Sequence, residues 1–420
     1  MMSNYCSRSS RCKSSPVPSG RCGAVRHEYP FADELLTSWH ARQRHSRRGR
    51  GLPAPKAVRD RMGDWRHPDI RPTMAWINAT ADDLNVSAAC LVEHSLAKHY
   101  PALPPDFLAW EHLPGSASST GLIPIPRLHV SWCSRCLAED FASDRPAHVR
   151  RQWVLAAVGF CHRHRWPLED RCNSCGSRTW RFAMPARGPL RMICEACWQP
   201  MERTSAPALY AGKDTLVRWD HIIAFEQQCM GAIRGRTPDQ FRFNFTSAGQ
   251  LLNEVRDVCS LLTKKPPNDE YWWCRTRNIA LNDFACDAMT PGYIGLQFYS
   301  SDTRNPLATA SPLLRRCLLA AACGIIETNP DVGAALFGPE APPAIEKFIA
   351  RTDRGGLDRL LMADGHWSSA FILQIKAARE RMARRFMISK LEAAHRAIRN
   401  AFAHSSSNEQ TKFNRSTGQI

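Results

Sequence analysis

The stretch from Cys133 to Cys197 constrains this chain more than any other. It carries Cys133-Ser134-Arg135-Cys136, Cys161-His162-Arg163-His164, Cys172-Asn173-Ser174-Cys175 and Cys194-Glu195-Ala196-Cys197, four chelating pairs within 65 residues. Each pair has two residues between its ends. That gap lets a tight turn aim both side chains at one ion while backbone N–H groups face the sulfurs. Zinc takes four nitrogen or sulfur ligands in a closed tetrahedron, so four pairs suit two structural sites. Nearest-neighbour pairing assigns Cys133, Cys136, Cys161 and His164 to one ion and Cys172, Cys175, Cys194 and Cys197 to the other. An interleaved cross-brace would exchange the second and third pairs. The short gap between His164 and Cys172 favours the sequential order, because each long loop then closes on its own ion. His162 is the alternative to His164, but it adjoins Cys161, and adjacent residues rarely reach one ion. Both quartets fill all four positions and leave none for a reactive water. The expectation is two scaffold zinc ions.

A chain of 420 residues with 44% apolar content has room for two to four domains and a sizeable core. Its 56 Lys and Arg against 39 Asp and Glu give a net charge of +17, which favours an acidic partner, most commonly nucleic acid. The excess of Arg over Lys suits bidentate phosphate contacts, although GC-rich coding produces the same bias. Seventeen cysteines, an odd total, fit a reducing cytosol better than secretion. The N-terminus lacks an apolar signal-peptide core. The longest apolar run, Cys317 to Ile326, is too short to span a bilayer. A cytoplasmic protein is expected.

Along the chain, residues 1–27 read as a disordered, Ser- and Arg-rich tail whose Cys6, Cys12 and Cys22 match no ligand spacing. Residues 28–125 form the N-terminal helical part. Pro30 suits a helix start, and Leu35, Leu36 and Trp39 fall at helical spacing. The basic run from Arg42 to Arg50 is either a solvated loop or a phosphate-contacting arm. Residues 73–100 have the pattern of a helix-turn-helix, or of an ordinary helical hairpin. The first helix is Met74 to Leu84, the turn Asn85-Val86-Ser87, and the second helix Ala88 to His99. Asn85 tolerates positive φ, Val86 can plug the angle between the helices, and Ser87 can cap the second helix. That helix would lie in the major groove.

Residues 126–205 form the double zinc-ribbon region, in which the apolar run Trp153 to Phe160 should pin Cys161 to the core. Residues 206–404 read as an all-α domain, with helices near 216, 248–263, 310–329, 341–362 and 367–403, and residues 405–420 as a flexible tail. The fold class is therefore mainly α with small zinc-ribbon β elements. Candidate nucleic-acid contacts are Ser87 at the start of the second helix, with Arg150, Arg187 and Arg191 around the ribbons. The basic stretch 376–399, with Phe386, Met387, Leu391 and Ile398 on an apolar side, is either a solvated helix face or a nucleic-acid grip.

The order Trp132-Cys133-x-x-Cys136-Leu137, Glu139-Asp140, His148-x-Arg150-x-x-Trp153, Cys161-x-x-His164, Leu168, Asp170, Cys172-x-x-Cys175-Gly176 resembles the TniQ family, which includes TnsD-like target selectors of bacterial transposons. Glu34-Leu35-x-x-Ser38-Trp39 is similar to that family's N-terminal helix, and together these motifs cover residues 28–200. Ser134, His162 and Asn173 stand where relatives often carry Pro, and His148 where they often carry Tyr; every ligand stays in place. The resemblance implies a helix-turn-helix and zinc-ribbon protein without catalysis of its own. It implies DNA, an AAA+ ATPase of the TniB/TnsC kind, a transposase or a guide-RNA effector complex as partners, a homodimer as an option, and a nucleoid-associated location in a bacterial cytoplasm.

Catalytic patterns do not compete with this reading. The sequence has no GxxxxGK[ST] phosphate loop, HExxH helix or GxSxG elbow. The alternatives are a stand-alone zinc-containing DNA-binding regulator and, behind it, a zinc-dependent nucleic-acid enzyme.

Overall fold

A computed structural model describes residues 29–46, 58–59, 65–112, 127–202, 213–237, 247–263, 305–327, 329–337, 343–352 and 354–416. The tail 1–27, Arg47 to Arg50, the 206 boundary and residues 264–304 with Cys274 and Cys286 lie outside the described residues.

The N-terminal part begins with α1 (Leu36–Ser46) and a short hairpin of β1 (Val58–Arg59) and β2 (Trp65–Arg66), followed by α2 (Met74–Leu84), α3 (Ala88–Glu93) and α4 (Leu96–His99). Thr73 starts α2 by accepting the Trp76 N–H at 3.2 Å, and Asn85 ends it in the left-handed region at φ 51°. The apolar faces of α1, α2 and α3 then meet. Leu36, Trp39, Ile77, Ala81, Leu84 and Leu91 form a separate small core, with Val86 packed against it from the turn.

Two expectations for this segment change. The second helix does not run from Ala88 to His99; it stops at Glu93. Ser95 is extended, and the Leu96 and Ala97 N–H groups turn away to the carbonyls of Asp69 and Ile70 at 2.7 and 3.1 Å. Ser87 sits at the N-cap position of α3, but its side chain makes no capping hydrogen bond. The basic run also divides. Arg42 lies within α1, 4% exposed, with its Nη2 2.7 Å from Glu34.

The ribbon region adds β3 (Trp110–His112) paired with β4 (Arg127–Leu128), then α5 (Ser134–Ala142). Next come the antiparallel pairs β5 (Phe160–Cys161) with β6 (Trp166–Pro167), and β7 (Trp180–Ala183) with β8 (Arg191–Cys194). The apolar approach to Cys161 is a 3-10 turn, Arg151–Val154, then a second turn at Ala156 and Ala157 that leads into β5; every residue from Trp153 to Cys161 is buried. The chain can afford no exposure here because the segment is walled on both sides by the ribbons and the C-terminal helices.

The C-terminal half is helical: α6 (Lys213–Ile233), α7 (Ala248–Thr263), α8 (Pro306–Thr309), α9 (Pro312–Ile326), α10 (Pro330–Phe337), α11 (Ala344–Arg351), α12 (Arg354–Leu361) and α13 (Ser369–Ser416). Helix α9 is the hub. Ser311 caps it, Pro312 fills its first turn, and it packs against α6, α7, α10 and α11 with nearly every side chain buried. Its Gly324 is required: a Cβ there would lie 2.4 Å from the Phe337 ring of α10. The single helix expected over 341–362 is two helices, because Thr352 takes extended backbone angles at the end of α11. Helix α13 runs on through residues 405–416, which the composition assigned to a loose tail.

One apolar core runs from Leu35 through the ribbon region to Ile375. Among the described residues, no helix is long and apolar enough to cross a membrane.

Candidate metal centres

The structure gathers the four chelating pairs into two quartets, Cys133, Cys136, Cys161 and His164, and Cys172, Cys175, Cys194 and Cys197; within each, the ligand atoms lie within 4.8 Å of one another. The grouping is sequential. A tetrahedron with zinc–sulfur bonds of about 2.3 Å has sulfurs about 3.8 Å apart. The Sγ atoms of Cys136 and Cys161 are 3.6 Å apart, and those of Cys172 and Cys197, and of Cys175 and Cys194, are 3.5 Å apart. Both donor sets and both spacings fit a four-coordinate zinc ion.

Local backbone geometry explains how the pairs are aimed. The residue after the last ligand of three pairs is left-handed: Arg165 at φ 50°, Gly176 at 73° and Trp198 at 60°. A left-handed residue there folds the chain back after the second ligand, as the Gly176 N–H to Cys172 carbonyl bond at 2.8 Å shows. The first pair differs from the tight turn expected of it. Cys133 is the N-cap of α5 and Cys136 lies in its first turn, so helical geometry supplies that spacing.

The quartets differ in environment. Cys133, Cys136 and Cys161 are at most 1% exposed, whereas Cys175 of the second quartet is exposed. Between thiols this close, charge is shared unevenly. Hydrogen bonds from Cys133 and Cys136 push the Cys161 thiol down, and those of Cys136 with Cys133 and Cys161 push Cys136 up. An ion would replace that arrangement by drawing off the remaining protons.

His164, rather than His162, joins the first quartet. Its Nδ1 lies 3.4, 3.3 and 3.6 Å from the sulfurs of Cys133, Cys136 and Cys161, while its Nε2 meets Glu139 Oε1 at 2.8 Å. This carboxylate–histidine relay fixes the ring and directs the lone pair of Nδ1 at the cluster. The hydrogen bond from His164 holds the Glu139 carboxyl below its usual range. His162 turns the other way, its Nε2 3.0 Å from Glu226 of α6.

Two further carboxylates, which the ligand spacing does not reveal, tie the quartets to their surroundings. Glu169 accepts from Ser134 Oγ at 3.1 Å and from Asn173 Nδ2 at 2.9 Å, bridging the interior residues of one pair from each quartet. Burial pushes its carboxyl up to about 7. Glu226 is fully buried and accepts the Gly159 N–H at 2.8 Å, the Phe160 N–H at 3.3 Å and His162. Arg316 of α9 closes the other side, donating to the Leu168 carbonyl at 3.1 Å. Gly159 must be glycine for this, since a Cβ would come within 2.5 Å of Arg316 Cγ. Neither Glu169 nor Glu226 announces itself by spacing; each is legible only once the topology brings it to the ribbons.

The four candidate nucleic-acid residues part company. Arg150 does not reach the surface: it is 4% exposed, with Nη2 2.9 Å from both Asp140 oxygens and Nε 3.2 Å from Asp33. His148, fully buried, sits between the same carboxylates. Burial alone would raise Asp33, but the hydrogen bond from His148 and the charges of His148, Arg150 and Arg145 bring it down to about 2. Asp140, His148 and Arg150 are thus an internal lock holding α5 to the N-terminal segment. Arg191 is half-buried, paired with Glu202 and stacked 4.1 Å over Phe141. Arg187 and Ser87 are exposed and far apart in the chain. Arg181, which the sequence reading did not select, lies exposed on β7 with its guanidinium 4.0 Å over the exposed Trp198 ring, and β7 packs beside α1.

Residues 26–168 match the model of the TniQ family. The matched span holds the whole first quartet, the Glu139 relay and the Asp140–Arg150 lock, and ends four residues before Cys172. Comparison with curated proteins gives no match.

Proposed function

We propose that this chain, a TniQ-family protein through residues 26–168, is a non-catalytic, DNA-binding target-selection adaptor in a transposition system. In this reading it links a DNA or guide-RNA-marked target to an AAA+ ATPase and a transposase. The observation that carries the reading is the family match coinciding with the first quartet and the buried network around it. Transposition as the setting comes from the family; the adaptor role and the DNA contact are our inference.

Both quartets would hold zinc as scaffold. Each ion would supply a rigid tetrahedral node and no reactive position, because four protein ligands already surround it. The residues then do the positioning. Glu139 orients His164, Glu169 joins the two nodes, and Glu226 with Arg316 fastens the first node to α6 and α9. The helix pair α2–α3 with its Asn85 turn is the proposed helix-turn-helix. The exposed arginines of the second ribbon, Arg178, Arg181 and Arg187, provide the proposed phosphate contacts. The units 28–125, 126–205 and 206–404 are the proposed working divisions within the shared core.

The test is duplex binding by the zinc-loaded full chain across a salt series, with metal counted by mass spectrometry and with an AAA+ ATPase of the TniB/TnsC kind added as a second component. Binding that falls steeply with salt, two ions per chain and co-purification with the ATPase are expected. Salt-independent binding, or a metal site that retains an exchangeable water, overturns the reading.

A further inference from the structure

Among the described residues one tryptophan stands exposed, Trp198, at 61%. It follows Cys197 and closes the last chelating turn. Its N–H donates to the Cys194 carbonyl at 3.0 Å, and its backbone is left-handed at φ 60°. That conformation strains a bulky residue. The turn itself does not need the ring, because Gly176 holds the matching place after Cys175 at φ 73°. The ring belongs to neither apolar core. Folding does not account for a tryptophan at this position.

One face of the ring is taken. The Arg181 guanidinium of β7 lies 4.0 Å over its centroid. The exposure that remains belongs to the opposite face and the edge. The surroundings are basic. Between Cys172 and Cys197 the chain carries Arg178, Arg181, Arg187 and Arg191 against a single carboxylate, Glu195. Helix α1 packs beside β7 and ends in the exposed Arg44 and His45. Burial and the charges of Arg44 and Arg181 hold the His45 ring below its usual range, which places both guanidinium groups near it. Helix α1 also lends Leu36 and Trp39 to the small core it shares with α2 and α3. The exposed ring therefore adjoins the same element that carries the proposed helix-turn-helix.

Given the nucleic-acid reading of the second ribbon, on which this rests, we infer that Trp198 is a stacking platform for one unpaired nucleobase, with Arg44 and Arg181 on the phosphates that flank it. An acidic protein segment matches the charge but brings no flat ring to the platform. A nucleotide supplies both. Stacking on an aromatic side chain serves any base, since each has a π-face.

The geometry also selects an opened nucleotide over a closed duplex. Paired bases hide their faces in the stack. A side chain that wedges into a duplex step needs both of its own faces free, and Arg181 leaves Trp198 only one. The partner with a face to offer is a mispaired, flipped or single-stranded nucleotide. Arg181 then acts twice: its contact with the ring fixes the platform, and its charge lies beside the next phosphate. A chain built this way discriminates a target whose strands have been separated from one that is intact.

The experiment compares binding of the zinc-loaded full chain to a closed duplex and to the same duplex with a few central mispairs, one unpaired base being a fluorescent purine analogue. Wild type is expected to bind the opened DNA about tenfold tighter and to quench the analogue. Trp198→Asn removes the ring and suits the left-handed turn. It should bring the two affinities together and abolish quenching, with metal content as the control for the ribbon. Trp198→Phe should keep part of both effects, and Trp198→Leu, apolar but not aromatic, should lose the quenching. Wild type that binds both DNAs equally overturns the inference and leaves the DNA-binding reading standing. Binding to neither overturns both. Quenching that survives in Trp198→Asn or Trp198→Leu overturns the platform. So does a Trp198→Asn chain that keeps its preference for opened DNA but loses the AAA+ ATPase, since the ring is then a protein contact.

Discussion

Replacing Glu226 with Ala tests how the first quartet is fastened to the helical half. The carboxylate is fully buried and receives two backbone N–H groups, of Gly159 and Phe160, and the His162 ring. Removing it strands two donors in an apolar wall formed by Phe160 and Trp219, and opens a void between β5 and α6. A stranded buried donor costs about 1–3 kcal/mol, and breaking a buried charged contact about 3–5 kcal/mol, so a loss of about 3–5 kcal/mol is expected. Against a typical total of about 5–15 kcal/mol, that is a large fraction. Glu226→Gln keeps one carbonyl oxygen for Gly159 but turns an amide N–H₂ toward Phe160 and His162, and should lose about 1–3 kcal/mol. The assay is urea unfolding of the zinc-loaded chain, with a chelator-release rate measured in parallel. Because Cys161 directly follows Phe160, metal release should quicken in the same order as stability falls, wild type, Gln, Ala. If Glu226→Ala unfolds at the wild-type midpoint and releases metal at the wild-type rate, the coupling between ribbon and helices is refuted.

Glu139→Gln should lower metal affinity of the first quartet by about 10–100-fold with little change in fold, read by competition with a chelating dye, since the carboxylate orients a ligand without being one. Cys172→Ser should halve the metal content and leave the first quartet loaded; retention of both ions would show that the second quartet is misassigned. Gly324→Ala must displace Phe337 and should cost about 1–3 kcal/mol in denaturant unfolding, whereas the half-buried Gly333 one helix over, with open space where a Cβ would stand, should accept Ala. Glu254 is pushed up to about 8 by burial, above its unfolded value, so its share of stability is present at low pH and lost as pH rises through about 8. Stability of the wild type should therefore fall as pH rises from about 4.5 to about 8 and level off above that, and Glu254→Gln, which still accepts the Ser368 N–H, should flatten that slope.

The ligand quartets were legible because chelation imposes a local rule, two residues between ligands, that any sequence shows. Sequential closure and the choice of His164 over His162 also followed from chain length and adjacency. What surrounds the ligands was not legible, because it is assembled over long separations. Asp140, His148 and Arg150 stood out in the sequence as a motif, but whether an arginine lies on a surface or inside depends on which carboxylates arrive beside it. Here Asp33 arrives from more than a hundred residues away and draws Arg150 inward. The helix expected through His99 failed for the same reason: its local pattern is helical, and the carbonyls of Asp69 and Ile70 override it.

A family pattern that keeps ligands and their buried partners together is therefore a record of rigidity more than of contact. The matched span ends at Leu168, just past β6; the Leu168 carbonyl is held by Arg316, and Glu226 of α6 grips Gly159 and Phe160 on the paired strand β5. The first quartet is tied to α6 and α9 through Glu226 and Arg316, to the second quartet through Glu169, and to the N-terminal segment through Asp140 and Arg150, while Arg178, Arg181 and Arg187 stay exposed on the second ribbon. If the chain brings a target and an assembly partner together, the frame between them must not bend, and the buried carboxylates at Glu226 and Glu169 are where bending would begin. Loosening either should uncouple DNA binding from recruitment of the ATPase before it abolishes one or the other.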